Sequence, residues 1–499
     1  MPKDPTPAPR LQRYLTELGG RPLDAAVAAV LAGLDHLEAR SPAVARAIIK
    51  ELKDQRENLK LIASENYSSL AVQLAMGNLF TDKYSEGYPE HRFYAGCENV
   101  DDVEKEAAQL ACELFGADHA YVQPHSGADA NLVAFSAILA ARVEQPLLES
   151  LGETNPSKLS RDKWNQVRSA MQNQRLLALD YYCGGHLTHG YRFNISGQLF
   201  DAYSYGVDPA TKLVDLDRLR QQLHEIKPLI LLAGYSAYSR KLNFAKMREM
   251  ADEVGAVFMV DMAHFAGLVA GGVFTGDHNP VPHAHVVTST THKTLRGPRG
   301  GIVLCQREFA DWVDKGCPAI LGGPLPHMMA AKAVALREAK SPEFRTYAHR
   351  IVDNSRALAQ ACVDEGLPVL TGGTDNHLLL VNVSESLGLT GRQAESVLRA
   401  CRVTLNRNSL PDDPNGPWYT SGLRLGTPAV TTRGMGPDAM KEIAQVIRRV
   451  LGATRPAVAS NGAPSKAKYT VDAAVAGEAR SRMLALLEQY PLYPELGSP

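Results

Sequence analysis

Between about residue 100 and residue 340 the chain alternates helical stretches with short apolar runs: HAYVQP (119–124), LLALDYY (176–182), PLILLAGY (228–235), AVFMVD (256–261), HVVTSTT (285–291) and GIVLC (301–305). Apolar runs this short, alternating with helices, read as strands buried on both faces. They predict an α/β body around a largely parallel sheet. From Leu11 to about Leu61 the sequence is rich in Ala, Leu, Glu, Lys and Arg at helical spacing, which predicts an N-terminal helical arm over residues 1–60. Past residue 340, LPVLTGG (367–373) and NHLLLVNV (376–383), with helices near 391–401 and 436–452, predict a smaller second α/β unit. The expected organisation is therefore an arm (1–60), a large unit (61–340) and a small C-terminal unit (341–499). Residues 141–177 break the rhythm with polar, partly helical sequence and read as a surface insertion. Residues 453–468 (ATRPAVASNGAPSKAK) read as a flexible linker before a terminal helix, and residues 1–10 as disordered.

Composition narrows the class of protein. The 499 residues include 53 basic and 54 acidic side chains, a formal net charge of −1, so neither a general nucleic-acid binder nor a polybasic membrane-surface protein is expected. Any anionic ligand must then be captured by a local site. The seven cysteines are scattered with no C-x-x-C pair, which argues against a disulfide framework and for a reducing compartment. The polar start MPKDPTPAPR has no apolar core of a secretory signal. The most apolar stretch, 255–274, is broken by Asp261 and His264, so a core strand explains it better than a membrane span. The expectation is a cytoplasmic enzyme.

Four segments carry candidate chemistry. In HVVTSTTHKTLRGPRGGIVLC (285–305), a strand runs into Thr290, Thr291, His292 and Lys293 before a Gly/Pro-rich turn. Lys293 is either an ordinary surface lysine or a partly desolvated amine able to form a Schiff base. In AVFMVDMAHFAGL (256–268), Asp261 closes an apolar strand. It either caps the next helix or pairs with a protonated ring nitrogen, as pyridoxal phosphate enzymes require. In VQPHSGADANLVAF (122–135), Ser126, Gly127 and Ala128 precede an apolar helix, where small residues let backbone N–H groups approach a phosphate. No Walker P-loop and no G-x-G-x-x-G is present. In YYCGGHLTHG (181–190), His186 and His189 form an H-x-x-H pair with no Glu or Cys nearby to complete a zinc site. No metal is expected there; an imidazole stacked on a cofactor ring, or a loop histidine, fits better.

These four segments in this order resemble serine hydroxymethyltransferase. LIASENYSS (61–69), TDKYSEGYPEHRFYAG (81–96), GYSAYS (234–239), GGPLPH (322–327) and TSGLRLGTPA (420–429) extend the resemblance over about residues 45–452 and the terminal helix. It implies the aspartate-aminotransferase-like fold of pyridoxal phosphate enzymes, and conversion of L-serine and tetrahydrofolate to glycine and 5,10-methylenetetrahydrofolate. By this resemblance Lys293 is the Schiff-base lysine, Asp261 the partner of the pyridine nitrogen, and His186 the stacking imidazole. His264 and Ser236 would contact the ring hydroxyl side. Ser126, Gly127, Ala128 and His292 would hold the phosphate, with Tyr84 and Gly323 reaching in from a partner subunit. Arg424 would clamp the substrate carboxylate, assisted by Ser64. Glu86 is the implied acid/base carboxylate, with Tyr94 in the substrate pocket and Arg92 beside it. Tyr181, Gly185, Leu187, Asn408 and Asn415 match folate-binding positions. The implied assembly is a homodimer or dimer of dimers with shared active sites. A folate-independent pyridoxal phosphate aldolase or racemase would use the same lysine, aspartate and arginine; Glu86 and the folate positions argue for the transferase. The chain departs from the family pattern at Cys183, where a histidine is common, at Tyr181, where an aliphatic residue is usual, and across 318–324. The insertion at 141–177 has no counterpart in the compact bacterial pattern.

Overall fold

The computed structural model describes residues 8–458 and 462–497. The disorder expected for residues 1–10 falls mostly on residues outside that range. Three helices form the N-terminal arm: α1 (Arg10–Leu18), α2 (Ala25–Arg40) and α3 (Pro42–Glu57). The Asp24 carboxylate caps α2 by accepting from the Ala26 and Val27 amides.

A seven-stranded sheet dominates the next part of the chain. Its strands are β1 (His119–Tyr121), β2 (Arg175–Leu179), β3 (Asp201–Tyr205), β4 (Ile230–Gly234), β5 (Val257–Asp261), β6 (Val286–Thr290) and β7 (Gly301–Cys305). Their order across the sheet is β1-β7-β6-β5-β4-β2-β3, and every neighbouring pair is parallel except the two made by β7. The six apolar runs read from the sequence are six of these strands. β3 escaped that reading because it lies at the sheet edge with Asp201, Tyr203 and Ser204 exposed.

The pleat splits each central strand between two cores. Leu177, Leu179, Leu231, Ala233, Phe258 and Val260 enter one apolar cluster. Leu176, Ala178, Ile230, Leu232, Val257 and Met259 enter the other. Helices α4 (Glu98–Phe115) and α5 (Gly127–Leu139) pack on opposite faces, α4 with the first cluster and α5 with the second. At its C-terminal end α5 runs without a break through a π-helical stretch, Ala140–Glu144, into Gln145–Ser150. The expected insertion is therefore shorter than 141–177. Its start prolongs a helix and its end belongs to β2, leaving only α6 (Arg161–Gln172) and the turns around it.

A further apolar cluster unites the C-terminal part of the chain. It gathers Leu358 and Cys362 of α7 (Pro342–Asp364), strand β8 (Leu378–Asn382), Leu405 just before β9 (Asn406–Asn408), strand β10 (Gly422–Gly426), which pairs antiparallel with both β8 and β9, and helices α8 (Pro437–Gly452) and α9 (Ala473–Gln489). LPVLTGG is not a strand. It forms a turn at Leu370–Gly372 with one isolated bridge, Val369 to Val381. The expected flexible linker is also corrected. Thr454–Val458 and Pro464–Val471 pair as an antiparallel hairpin, β11 and β12, with residues 459–461 outside the described range. The Gln393 side chain donates to the Ser465 and Lys468 carbonyls and the Thr390 hydroxyl to that of Lys466, which docks the hairpin on its neighbour helix.

Phe258 is fully buried in the central strand β5. Phe258→Ala is expected to remove about 3–5 kcal/mol of stability. The check is a lower denaturant midpoint at unchanged slope, and a midpoint equal to that of the parent would contradict it.

Candidate active site

Open α/β sheets place their sites at the carboxyl ends of the strands, where helix N-termini and loops converge. Here Ser126 follows β1, Ser236 follows β4, Asp261 ends β5, and Lys293 follows β6. They meet at a cavity of about 540 Å³ lined also by Ser64, Gly127, Ala128, His186, His264, His292 and Arg424. These are the sequence-expected cofactor and carboxylate residues apart from Tyr84 and Gly323. Thr290, from the strand that runs into Lys293, and Arg299, which the sequence did not single out, join them.

Asp261 is the electrostatic anchor. Burial alone would raise its pKa, but the hydrogen bond and charge of His189, with His186 and Lys293 nearby, outweigh it and hold the carboxyl well below the usual range. The Ala263 amide donates to Oδ1 at 2.9 Å. Asn131 Nδ2 donates to Oδ2 at 2.9 Å, and His189 Nε2 lies 3.2 Å from the same oxygen. Asn131 is buried in α5 and is itself oriented by the Thr288 hydroxyl, which donates to its Oδ1 at 2.5 Å. The fold thus supplies the third partner that H-x-x-H lacked in sequence: donor atoms of His186, His189 and Asp261 lie within 4.8 Å of one another. Oδ2 is already engaged by Asn131 and His189, so the cluster reads as a polarised carboxylate facing the cavity rather than an open ligand set.

The remaining groups make the cavity cationic. Burial lowers the Lys293 amine to about 8; Asp261 opposes that shift, while Arg424 and Arg299 add to it. The Lys293 backbone is pinned by Asn66, whose Nδ2 donates to its carbonyl at 2.9 Å. Arg424 projects from β10, its Nε donating to Asn406 Oδ1 at 3.0 Å and its Nη1 to the Ser236 carbonyl at 2.6 Å. Burial brings its guanidinium down to about 10. His186 falls to about 4, chiefly through burial and then through His189, so its imidazole is neutral at pH 7. His292 falls to about 3 through burial and the charges of Arg299 and Lys293.

The phosphate end is built as a cradle. Ser126 is the N-cap of α5, its hydroxyl accepting from the Asp129 amide. A Cβ on Gly127 would lie 2.7 Å from Thr290 Cγ2, so glycine here lets the α5 N-terminus approach the end of β6 closely. The His292 Nδ1 atom is buried with no hydrogen-bond partner. The unpartnered His292 Nδ1, the helix N-terminus and the surplus of cations together fit a phosphate-bearing cofactor.

Tyr84, Glu86, Tyr94 and Gly323 do not line this cavity. Tyr84 and Tyr94 pack edge to face with centroids 4.8 Å apart, and Gly323 sits against the Tyr84 ring. Both tyrosines are exposed, beside Leu79 and Phe93. The folate-matched residues also lie off the lining. Tyr181 packs on Tyr191 and lies near Arg424. Gly185 is pressed against the Leu179 carbonyl, where a Cβ would approach to 2.0 Å. Leu187 is exposed, the Asn408 amide donates to the Ser409 carbonyl, and that of Asn415 to the Ser384 and Ser421 hydroxyls. Cys183 is half-buried beside Tyr182, and burial raises its thiol.

A family model described as serine hydroxymethyltransferase matches residues 37–148 and 160–447. The unmatched gap, 149–159, runs from the end of the Gln145–Ser150 helix through the turns before α6. The chain is 60% identical over 489 residues to the serine hydroxymethyltransferase of Treponema pallidum, covering 98% of this chain and 85% of that one. It is 57% identical over 463 residues to the enzyme of that name from Cutibacterium acnes, covering 93% and 94%. With the Chlamydia muridarum protein of the same name, identity is 50% over 488 residues, covering 97% and 98%.

The depressed Lys293 pKa has a kinetic signature. In the cofactor-free protein, imine formation at Lys293 with a small aldehyde, trapped by reduction and read by mass spectrometry, is expected to rise through pH about 8. A rise centred at the ordinary lysine value of 10.5 would refute the desolvation argument.

Proposed function

The chain belongs to the serine hydroxymethyltransferase family, and we propose that the Lys293 cavity is where it performs that family's reaction. It converts L-serine and tetrahydrofolate reversibly to glycine and 5,10-methylenetetrahydrofolate, with pyridoxal 5′-phosphate as cofactor. The cofactor supplies an aldehyde for a Schiff base and a protonated ring that takes up electrons when the serine Cα–Cβ bond breaks. The observation that carries the reading is the meeting of a depressed lysine and a polarised buried aspartate at one cationic cavity.

Lys293 holds the aldehyde: near pH 8 a useful fraction of its amine is neutral and nucleophilic. Asp261, kept ionised by Asn131 and His189, holds a proton on the ring nitrogen. His186, neutral, would be the imidazole against the cofactor ring, and His264 and Ser236 would contact its hydroxyl side. The α5 N-terminus at Ser126, Gly127 and Ala128, with His292, receives the phosphate. Arg424 clamps the amino-acid carboxylate, its orientation fixed by Asn406 and the Ser236 carbonyl, with Ser64 alongside.

The site is completed by a second copy of the chain. Tyr84 and Tyr94 form an exposed aromatic pair with Gly323 against the Tyr84 ring, the half-buried Glu86 is two residues from Tyr84, and none of the four lines the chain's own cavity. In a homodimer, or a dimer of dimers, this face brings Glu86 to the partner's substrate as acid/base, with Tyr84 and Gly323 at its phosphate. Tyr181, Gly185, Leu187, Asn408 and Asn415 form the folate side, near Arg424 through Tyr181. The arm (1–60), the central-sheet body (61–340) and the C-terminal body (341–499) are the domains of this enzyme. All seven cysteines are free, which supports a cytoplasmic setting. Among the described residues no helix is long and apolar enough to cross a membrane.

Lys293→Ala is expected to abolish turnover, and borohydride to fix the cofactor on Lys293 in the parent protein. Fixation at another lysine would overturn the site. Arg424→Lys is expected to raise the serine KM about 10- to 100-fold by losing the paired hydrogen bonds. An unchanged KM would remove Arg424 from the carboxylate. Glu86→Gln and Lys293→Ala proteins, each inactive, should on subunit mixing recover roughly a quarter of parental activity, because half the dimers then hold one intact site. No recovery after verified exchange would place Glu86 in its own chain's site.

A further inference from the structure

His264 lines the cavity, yet its ring is tied from behind. Nδ1 of His264 lies 3.1 Å from Nε2 of His377, the residue that precedes β8 in the C-terminal body. His377 is fully buried, and its own Nδ1 has no hydrogen-bond partner. The His377 backbone carbonyl accepts from the Thr427 amide at 3.0 Å, so the ring is carried on a fixed backbone. We propose that His377 is a positioning residue that sets the tautomer of His264, donating its Nε2–H to Nδ1 so that His264 presents Nε2–H to the cavity.

The argument is one of proton counting. Two neutral imidazoles carry two protons, and one of them sits in the shared hydrogen bond. If His264 donated it, the His377 proton would reside on Nδ1, leaving a buried N–H with no acceptor. If His377 donates it, Nδ1 of His377 is a bare lone pair. Orphaned buried N–H groups are the rarer of the two defects, so the second arrangement is preferred. Both rings are neutral at pH 7: burial, together with the charges of Arg424 and Lys293, brings His377 to about 3 and pushes His264 well below its ordinary value. In the second arrangement His264 must be protonated at Nε2, its edge toward the cavity. There it is a hydrogen-bond donor matched to an anionic oxygen, such as the ring oxygen of the cofactor.

The consequence for the cofactor rests on the reading of this cavity given above; the tautomer does not. Protein labelled with 15N in histidine and prepared without cofactor is expected to show His264 with a bare Nδ1 and a protonated Nε2 at pH 7. His377→Gln, whose amide N–H can stand where Nε2–H stood, should preserve that spectrum. His377→Met, which cannot donate, should give a mixture of His264 tautomers. Pyridoxal phosphate affinity, followed by absorbance, should fall about five- to tenfold in His377→Met and stay within about twofold in His377→Gln. A protonated Nδ1 in the parent protein, or a His264 spectrum unmoved by His377→Met, would overturn the proposal. If His377→Met does not fold, the parent spectrum alone decides. Borohydride fixation of the cofactor away from Lys293 would instead overturn the reading of the cavity and leave the tautomer result standing.

Discussion

A carboxylate at the end of a fully apolar strand must either lose its charge or be surrounded by groups that hold it. β5 delivers Asp261 to the centre of the molecule with Val257, Phe258, Met259 and Val260 buried behind it. In such low-dielectric surroundings an unpaired carboxylate would protonate. The structure prevents this with donors from three separate segments: the Ala263 amide, Asn131 from α5 and His189 from the loop after β2. Thr288 of β6 and Thr188 then hold Asn131 itself. One charge therefore fixes the relative positions of a helix, a loop and two strands. Those same segments carry Ser126, His186 and Lys293, so the geometry of the cavity follows from satisfying Asp261.

The rest of the cavity's electrostatics follows from that anchor. The chain as a whole is nearly neutral, but Lys293, Arg299 and Arg424 converge on a space where Asp261 is already saturated by hydrogen bonds. His186, His264 and His292 add no positive charge at neutral pH, because burial and the neighbouring cations keep them unprotonated. What remains is a compact positive site suited to a phosphate at one end and a carboxylate at the other. Arg424 reaches it from the C-terminal body and grips the Ser236 carbonyl of the sheet body. That bond ties the two apolar cores together at the place where substrate would sit.

Strands buried on both faces were legible in the sequence because their runs are apolar or, in β6, β-branched and small, with no charged residue before their ends. β3 was not, since an edge strand with exposed Asp201 and Tyr203 has no such run. The β11–β12 hairpin was misread as a linker for a related reason. Its residues are mostly small or polar and half-exposed, and it is held by side chains of Thr390 and Gln393, which lie more than sixty residues earlier. The insertion was overestimated because helix propensity does not mark where α5 ends when a π-helical stretch carries it onward. Within the site, Lys293, Asp261 and Ser126 were readable from strand ends. Asn131, Asn406 and His377 were not: each is an ordinary polar residue whose role exists only through a contact 18 to 130 residues away. A buried asparagine inside the apolar helix that follows Ser126 was the available signal, and it pointed at Asp261.

The segment 84–94 shows why exposure here does not mean looseness. Arg92 is nearly buried and donates to the Ser85 and Gly87 carbonyls as well as to Asp101 and Glu104. Gln123 donates to the Gly87 carbonyl and to Glu104, and the Gly87 amide reaches Cys317 Sγ. A guanidinium in this environment is expensive to leave unpaired, and its four acceptors make the short hairpin around it rigid. Yet the side chains this scaffold presents, Tyr84, Phe93 and Tyr94, point into solvent. Aromatic side chains held this firmly lose little conformational entropy on meeting another surface, so association is cheap where floppy loops would resist it. The buried Arg92 network thus makes sense of the exposed aromatics: it holds the backbone that presents them and preorganises that face.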